Sequence, residues 1–168
     1  MGFDIHGINP KENVKREEYP TLTKYDKLEY EEKWKIFDEK PKEHDKYWKE
    51  RDEFESKNAG IYFRNNCWWW RPLWDFCYNM TDVLSENDWE QGHTNSMHII
   101  SESKAVELGS QLMEMVSNGK VETYIKEYEL SREAKKDEDK FWNSYPMSIE
   151  NIEEFANFCL QSGGFEIG

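Results

Sequence analysis

The stretch Ile61-Tyr-Phe-Arg-Asn-Asn-Cys-Trp-Trp-Trp-Arg-Pro-Leu-Trp74 holds four of the chain's eight tryptophans within seven positions. Two arginines and two asparagines are interleaved with these indoles. Neither a helical period nor a strand period can bury all of the rings on one face. Some indoles are therefore expected to pack in the core, while others face a polar group, a ligand or a partner.

This aromatic block favours a ligand site, because indoles beside guanidinium and amide groups can stack on a planar ring and bind its edge. The alternative, which the sequence leaves open, is that Trp68, Trp70 and Trp74 anchor the core and the asparagines bridge loop backbone. The predicted ligand-binding residues are Arg64, Asn65, Asn66, Trp68, Trp69, Trp70, Arg71, Trp74 and His93.

Composition predicts one domain over residues 1–168 with an aromatic-rich core. Hydrophobic residues make up only 37% of the chain, but 15% of all residues are aromatic, and each ring buries a large area. The net charge of −13 disfavours direct nucleic-acid binding. With no bilayer-length apolar run and no signal-peptide pattern, we expect a cytoplasmic protein without membrane contact. The three cysteines have no metal-ligand spacing, which agrees with a reducing compartment.

The pattern predicts a mainly α fold of the α+β class, with five or six helices and a small sheet from strands near 3–8, 61–64 and 164–167. Residues 24–57 are expected to form a peripheral charged helical hairpin, divided at Pro41. A loop is predicted at 11–24 and a polar turn-like segment at 85–96. One helix is predicted to have Pro72 at its first position, and the next to be capped by Ser101 and to end at Asn118-Gly119. A further helix is predicted from Val121 to the charged run 131–140, and a last helix is predicted between its cap Ser148 and Gly163-Gly164.

Motifs for catalysis and metal binding are weak. Asp4, His6, His93 and His98 are of the types that hold zinc, but their spacing is not that of a common zinc site. The chain has no nucleophile elbow and no glycine-rich phosphate loop. We therefore predict no catalytic residue, no bound metal and no cofactor, and we favour a binding protein over an enzyme.

Three stretches carry a resemblance: Met1-Gly-Phe-Asp-Ile5, the block Tyr62-Phe-Arg-Asn-Asn66 with Trp70-Arg-Pro-Leu-Trp74, and Phe155-Ala-Asn-Phe-Cys159 with Ser162-Gly-Gly-Phe165. Together they resemble small uncharacterised proteins of bacteriophages and some bacteria. The resemblance implies a phage-borne accessory protein in the bacterial host cytoplasm, which counters host defence. It implies no activity and no catalytic residue.

The function predicted from sequence is the sequestration of a nucleotide or another planar anionic small molecule. One alternative is an acidic inhibitor that imitates nucleic acid and docks on a basic host protein through residues 24–57. Another is a metal-dependent hydrolase that uses Asp4, His6 and His93. A homo-oligomer is compatible with the sequence.

Overall fold

The structure, a computed structural model, describes residues 2–135 and 145–168. The chain divides into two compact units. The larger unit contains residues 1–11 and 60–168, and the smaller unit is Glu12–Ala59. The smaller unit includes the predicted hairpin at 24–57 and extends beyond it toward the N-terminus.

The smaller unit is helical. Its elements are a 3-10 turn at Arg16–Glu18, α1 (Pro20–Tyr25), α2 (Tyr30–Glu39) and α3 (Pro41–Lys57). Pro41 begins α3, which confirms the predicted division of the hairpin. The prediction of a loop over 11–24 was wrong, because Pro20 also begins a helix. The buried side chains of this unit are mostly aromatic: Tyr19, Leu22, Tyr25, Phe37, Tyr47 and Phe54.

Two polar side chains fix the ends of this unit's helices. Asn58 is completely buried. Its side-chain oxygen accepts from the backbone amides of Asn13 and Val14 at 2.6 and 3.1 Å. Its side-chain nitrogen donates to the Val14 carbonyl at 3.1 Å. The Glu50 carboxylate accepts from the first amides of α1, those of Thr21 and Leu22. Burial opposes ionisation of Glu50, but these donors outweigh it and lower its pKa.

The described residues of the larger unit form a sheet and five helices. Its strands are β1 (Gly2–Gly7), β2 (Tyr62–Asn66), β3 (His98–Ile100) and β4 (Phe165–Ile167), and its helices are α4 (Cys67–Met80), α5 (Glu86–Gly92), α6 (Glu102–Ser117), α7 (Lys120–Ala134) and α8 (Ile149–Gln161). All strand pairs are antiparallel, in the order β2-β1-β4-β3. The predicted mainly α fold with a small sheet is confirmed, although the described residues contain eight helices rather than five or six.

Apolar and polar residues alternate along the strands, so the sheet has a buried face and a polar face. Phe3, Ile5 and Phe63 are buried with Phe165 and Ile167 in the main core. The opposite face of β1 and β2 presents Asp4, His6, Tyr62 and Arg64, which lie beside one another in the register. The helices contribute the rest of the core, and α6 and α8 approach closely at Gly109, where an added Cβ would lie 2.8 Å from the Ala156 carbonyl.

Helix α4 begins at Cys67, so the prediction that Pro72 occupies its first position was wrong. Asn66 caps the helix by accepting from the amides of Trp68 and Trp69 at 3.1 and 3.2 Å. Pro72 is instead the sixth helical residue, where it removes one internal hydrogen bond. The earlier start places Trp70 and Trp74 on the buried stripe of the helix.

The ends of the other helices follow the predicted signals in most cases. Ser101 and Ser148 cap α6 and α8, and Gly119 adopts φ +79° just after α6. The segment 85–96 contains a helix that was predicted as a turn, because the capping box of Ser85 and Asp88 was not recognised. Strand β3 was also missed. Of the predicted charged run 131–140, residues 136–140 lie outside the described residues.

The buried Asp88 carboxylate ties α5, β3 and α6 together. It accepts from the Ser85 amide at 2.9 Å, from His98 Nε2 at 2.9 Å and from the Lys104 ammonium. Burial opposes ionisation of this carboxyl, but the hydrogen bonds from Lys104, Ser85 and His98 outweigh it and hold its pKa well below the usual range. His98 is thereby assigned to a structural network.

We expect Asp88→Asn to lower the free energy of unfolding by about 2 kcal/mol at pH 7, since hydrogen bonds to a charged group are worth roughly 1.5–3 kcal/mol. The folded-state pKa of Asp88 lies below its unfolded value of about 4. Its contribution is therefore complete above about pH 4 and is lost as the pH falls further. In urea denaturation between pH 7 and 2, the difference in the free energy of unfolding between wild type and variant should narrow below pH 4. A difference independent of pH, or an equal loss of stability in the exposed control Glu86→Gln, would contradict the stabilising role of the Asp88 carboxylate.

The three cysteines are all free. Cys77 and Cys159 are buried in the core, and this burial raises the pKa of both thiols. They are therefore core residues rather than nucleophiles. None of the helices in the described part of the chain has the length and apolar composition needed to span a bilayer.

Candidate functional site

A cleft of about 680 Å³ opens in the larger unit between α4, α5 and α7. Helix α4 contributes Arg71, Asp75 and Asn79, which are spaced four residues apart and so share one face. Trp89 of α5 and His93, which caps the end of that helix, are also four apart. The volume lies within the range of small-molecule sites.

The side of the cleft formed by α7 has the same helical spacing. Tyr124, Tyr128 and Arg132 follow one another at intervals of four, and Ser131 and Lys135 complete this side. The Tyr124 and Tyr128 rings are nearly parallel, with an interplanar angle of 14° and centroids 6.4 Å apart. They form a continuous aromatic wall. Burial, together with the charge of Asp75, raises the pKa of Tyr124, and burial also raises the pKa of Tyr128, so both hydroxyls are neutral at pH 7.

Aromatic contacts show how the helices run past the cleft. Tyr124 packs on Phe76, with centroids 4.8 Å apart. One turn later, the Tyr128 hydroxyl donates to the Tyr145 carbonyl at 2.9 Å, and the Tyr145 ring packs edge-on against Trp68. Helix α7 therefore approaches α4 at Phe76 and, through Tyr145, at Trp68.

Charged side chains line the cleft beside its aromatic rings. Among the described residues, the cations are Arg71 on α4, Arg132 in the last turn of α7 and Lys135 just beyond that helix, and the carboxylate is Asp75. Arg71 and Asp75 are one helical turn apart on α4. An anion is favoured beside Arg71.

Arg71 has an unsatisfied donor. Its Nε is buried, yet it donates to no atom of the described residues. Leaving a buried donor without an acceptor costs roughly 1–3 kcal/mol. Arg71 also lines the cleft, and a guanidinium is a common partner for a bound anion.

Asp75 organises the side of the cleft that α5 forms. Its Oδ1 accepts from Trp89 Nε1 at 2.7 Å and from His93 Nε2 at 2.9 Å. The Trp89 and His93 rings meet edge-on at 5.2 Å, and Tyr78 covers one face of Trp89 at 5.4 Å. These contacts fix the indole and the imidazole before any ligand arrives. An imidazole that donates from Nε2 keeps Nδ1 as a hydrogen-bond acceptor.

None of the four indoles of the tryptophan block lines the cleft. Trp70 and Trp74 are fully buried, which corrects their prediction as ligand-stacking rings. Their rings stack at 5.1 Å, and Phe155 packs edge-on against both. Trp68 packs edge-on against Tyr145, which lines the cleft. Trp69 is partly exposed and does not line the cleft.

The polar residues of the block are likewise separated. Asn66 is the cap of α4, and the Asn65 amide donates to Asn151 at 3.0 Å. Arg64 lies on the polar face of the sheet, with its Nε 3.4 Å from Asp4. None of the three lines the cleft. Of the predicted site residues, Arg71 and His93 line the cleft directly.

The candidate metal ligands do not converge. His6 packs against the Tyr62 ring at 5.1 Å on the sheet, whereas His93 is held by Asp75 and His98 by Asp88. Across residues 2–135 and 145–168, no group of three or more His, Cys, Asp or Glu side chains has the arrangement of a metal site.

The sequence interpretation missed most of the residues that line the cleft, although a signal for them was present. Polar or aromatic residues recur every four positions on three separate helices: Arg71, Asp75 and Asn79, then Trp89 and His93, then Tyr124, Tyr128 and Arg132. A solvent-facing stripe that repeatedly contains large aromatic rings is unusual for a surface and indicates a shared concavity.

Comparison with protein-family models, with curated proteins and with solved structures gives no match to this chain. The function therefore has to be inferred from the chemistry of the cleft itself.

Proposed function

We propose that this protein binds a planar anionic small molecule, with a nucleotide as the leading candidate, in the cleft between α4, α5 and α7. The observation that carries the proposal is an aromatic cleft that, among the described residues, is lined by Arg71, Arg132 and Lys135 and by one carboxylate, in a strongly acidic chain. The wall of Tyr124 and Tyr128 suits a stacked ring, and the cations suit a phosphate.

The expected affinity follows from these contacts. Stacking on aromatic side chains is worth about 1–3 kcal/mol per base. A charge-assisted hydrogen bond adds roughly 1.5–3 kcal/mol. One stacked base and two or three cation contacts together reach the range of about 8 kcal/mol that corresponds to micromolar dissociation constants. The hydrogen bonds of Asp75 fix Trp89 and His93 in advance, which lowers the entropic cost of binding.

The resemblance to small bacteriophage and bacterial proteins supports a more specific role. A phage-borne protein that holds a nucleotide tightly would remove a host signal from solution and so counter host defence. We propose sequestration in the bacterial host cytoplasm, without chemical change of the ligand.

Calorimetric titration with mono-, di- and cyclic nucleotides tests this proposal. Two control ligands separate the contributions of the base and the phosphate to binding. A nucleoside lacks the phosphate, and ribose 5-phosphate lacks the base. We expect at least one nucleotide to bind with a micromolar or lower dissociation constant, and both controls to bind at least about tenfold more weakly. Mass spectrometry should recover the nucleotide unchanged. An absence of binding across the panel would refute the proposal, and hydrolysis of the nucleotide would make the protein an enzyme.

The acidic-inhibitor alternative receives less support. Residues 24–57 carry 12 acidic and 10 basic side chains, a net charge of only −2. Several of these charges pair with one another, as Arg51 does with Glu55 at 2.7 Å. A segment with balanced charges lacks the excess of carboxylates needed to imitate a nucleic-acid backbone.

A further inference from the structure

Asp75 has one oxygen that is fully used and one that is not. Oδ1 accepts from Trp89 Nε1 and His93 Nε2, and these two donors occupy both of its lone pairs. No donor among the described residues reaches Oδ2, and 45% of the side-chain surface is exposed where it lines the cleft. A carboxylate in a cleft that is otherwise cationic repels a phosphate, so its position requires a different partner.

We propose that Asp75 Oδ2 selects a base whose edge presents adjacent N–H donors, so that the preferred ligand is a guanine nucleotide. This inference rests on the proposed function. Guanine carries the ring N1–H beside the exocyclic N2 amino group, and an ionised carboxylate is purely an acceptor. Adenine instead presents the lone pair of N1 beside its amino group, and this lone pair is repelled by the carboxylate.

The other residues of the cleft agree with this assignment. Asp75 and the cation Arg71 both line the cleft, one helical turn apart on α4. Tyr124, whose pKa is raised by burial and by the charge of Asp75, belongs to the wall on which a base would stack. A nucleotide carries both an anion and a base edge with donors, so Arg71 and Asp75 suit different parts of the same ligand.

The isosteric variant Asp75→Asn tests the role of Oδ2. Trp89 and His93 both donate to Oδ1, so the amide is expected to keep its carbonyl oxygen on them. The amide nitrogen then replaces Oδ2 and presents donors to the cleft. The variant should therefore prefer a base with an acceptor where guanine has its amino group, and xanthine has a carbonyl oxygen at that position.

The experiment compares the monophosphates of guanosine, inosine, xanthosine and adenosine by calorimetry. The wild type should bind the guanine nucleotide at least about tenfold more tightly than the adenine nucleotide, with the inosine nucleotide between them because it lacks one donor. In Asp75→Asn the guanine affinity should fall about tenfold, and the ratio of xanthine to guanine affinity should rise at least about tenfold. Asp82→Asn, an exposed carboxylate of the same unit that bonds Gln111, controls for the change of charge and should leave the order unchanged.

Each other outcome overturns the inference in a recognisable way. Equal binding of guanine and adenine nucleotides by the wild type refutes the selection but leaves the proposed function intact. An equal loss for all four ligands in Asp75→Asn means that Asp75 only positions Trp89 and His93. Failure of all four to bind the wild type refutes this inference, and the panel of mono-, di- and cyclic nucleotides then decides whether the proposed function fails with it.

Discussion

Replacement of Gly92 by alanine is expected to lower the free energy of unfolding by about 3 kcal/mol, at the upper end of the usual cost of overpacking. A Cβ at this position would lie 2.1 Å from Trp74 Nε1 and 2.4 Å from Cε2 of the same ring. The indole has no room to withdraw, because Trp74 is fully buried and stacked on Trp70 at 5.1 Å. The Trp70 indole also donates to the Gly92 carbonyl at 2.7 Å, so a shift of α5 breaks this bond.

Urea denaturation measures this effect, and Gly119→Ala is the matched control. Gly119 has φ +79° but open space around its Cβ position, so alanine there costs only the left-handed backbone penalty of about 1 kcal/mol. Both changes remove a glycine from the same unit and have the same effect on the unfolded chain. Equal losses of unfolding free energy in the two variants would show that close packing of α5 against the Trp70 and Trp74 indoles does not contribute to stability. Gly92→Ala should also weaken nucleotide binding, since α5 carries Trp89 and positions His93.

The second large effect is expected on binding. Arg71→Gln should lower the affinity for the best nucleotide ligand by about 10- to 100-fold, because one or two charge-assisted hydrogen bonds of roughly 1.5–3 kcal/mol are lost. The same variant should be at least as stable as the wild type, since it removes a buried donor that has no acceptor among the described residues. Arg71→Lys should have an intermediate affinity, because an ammonium keeps the charge but not the planar fork.

Arg64→Gln is the control for Arg71→Gln. It makes the same change of charge, but Arg64 lies on the polar face of the sheet beside Asp4 and does not line the cleft. Calorimetry should therefore give it the affinity of the wild type. Equal weakening in both variants would mean that the ligand responds to overall charge and not to a defined contact. Unchanged affinity in Arg71→Gln would place the ligand elsewhere.

The elements of the fold were largely predictable because their signals are local. Ser101 and Ser148 mark helix starts by their side-chain caps, and alternation of Phe3 and Ile5 with polar residues marks β1. The elements that were not predicted depend on tertiary pairing. Strand β3 is only three residues long and exists through its pairing with β4, so no local period could have revealed it.

The site was less predictable because one helix start was misplaced. Taking Pro72 as the first helical residue left Trp70 outside any helical register, so its burial could not be deduced. With the start at Cys67, Trp70, Leu73, Trp74 and Cys77 form the apolar stripe, and Arg71 and Asp75 lie outside it. Assembly of the cleft also requires α7 to lie beside α4, as the contact of Tyr124 with Phe76 shows, and single-sequence periodicity does not contain such a long-range contact.

The most direct test of the cleft as a ligand site is the response of individual indole N–H groups in nuclear magnetic resonance spectra during titration with guanosine and adenosine monophosphates. Trp89 lines the cleft and donates to Asp75, whereas Trp70 is buried and donates to Gly92. We predict a saturable shift of the Trp89 indole signal, little change at Trp70, and loss of the response in Arg71→Gln. An unchanged Trp89 signal at saturating nucleotide, or equal small shifts at every indole, would contradict the account.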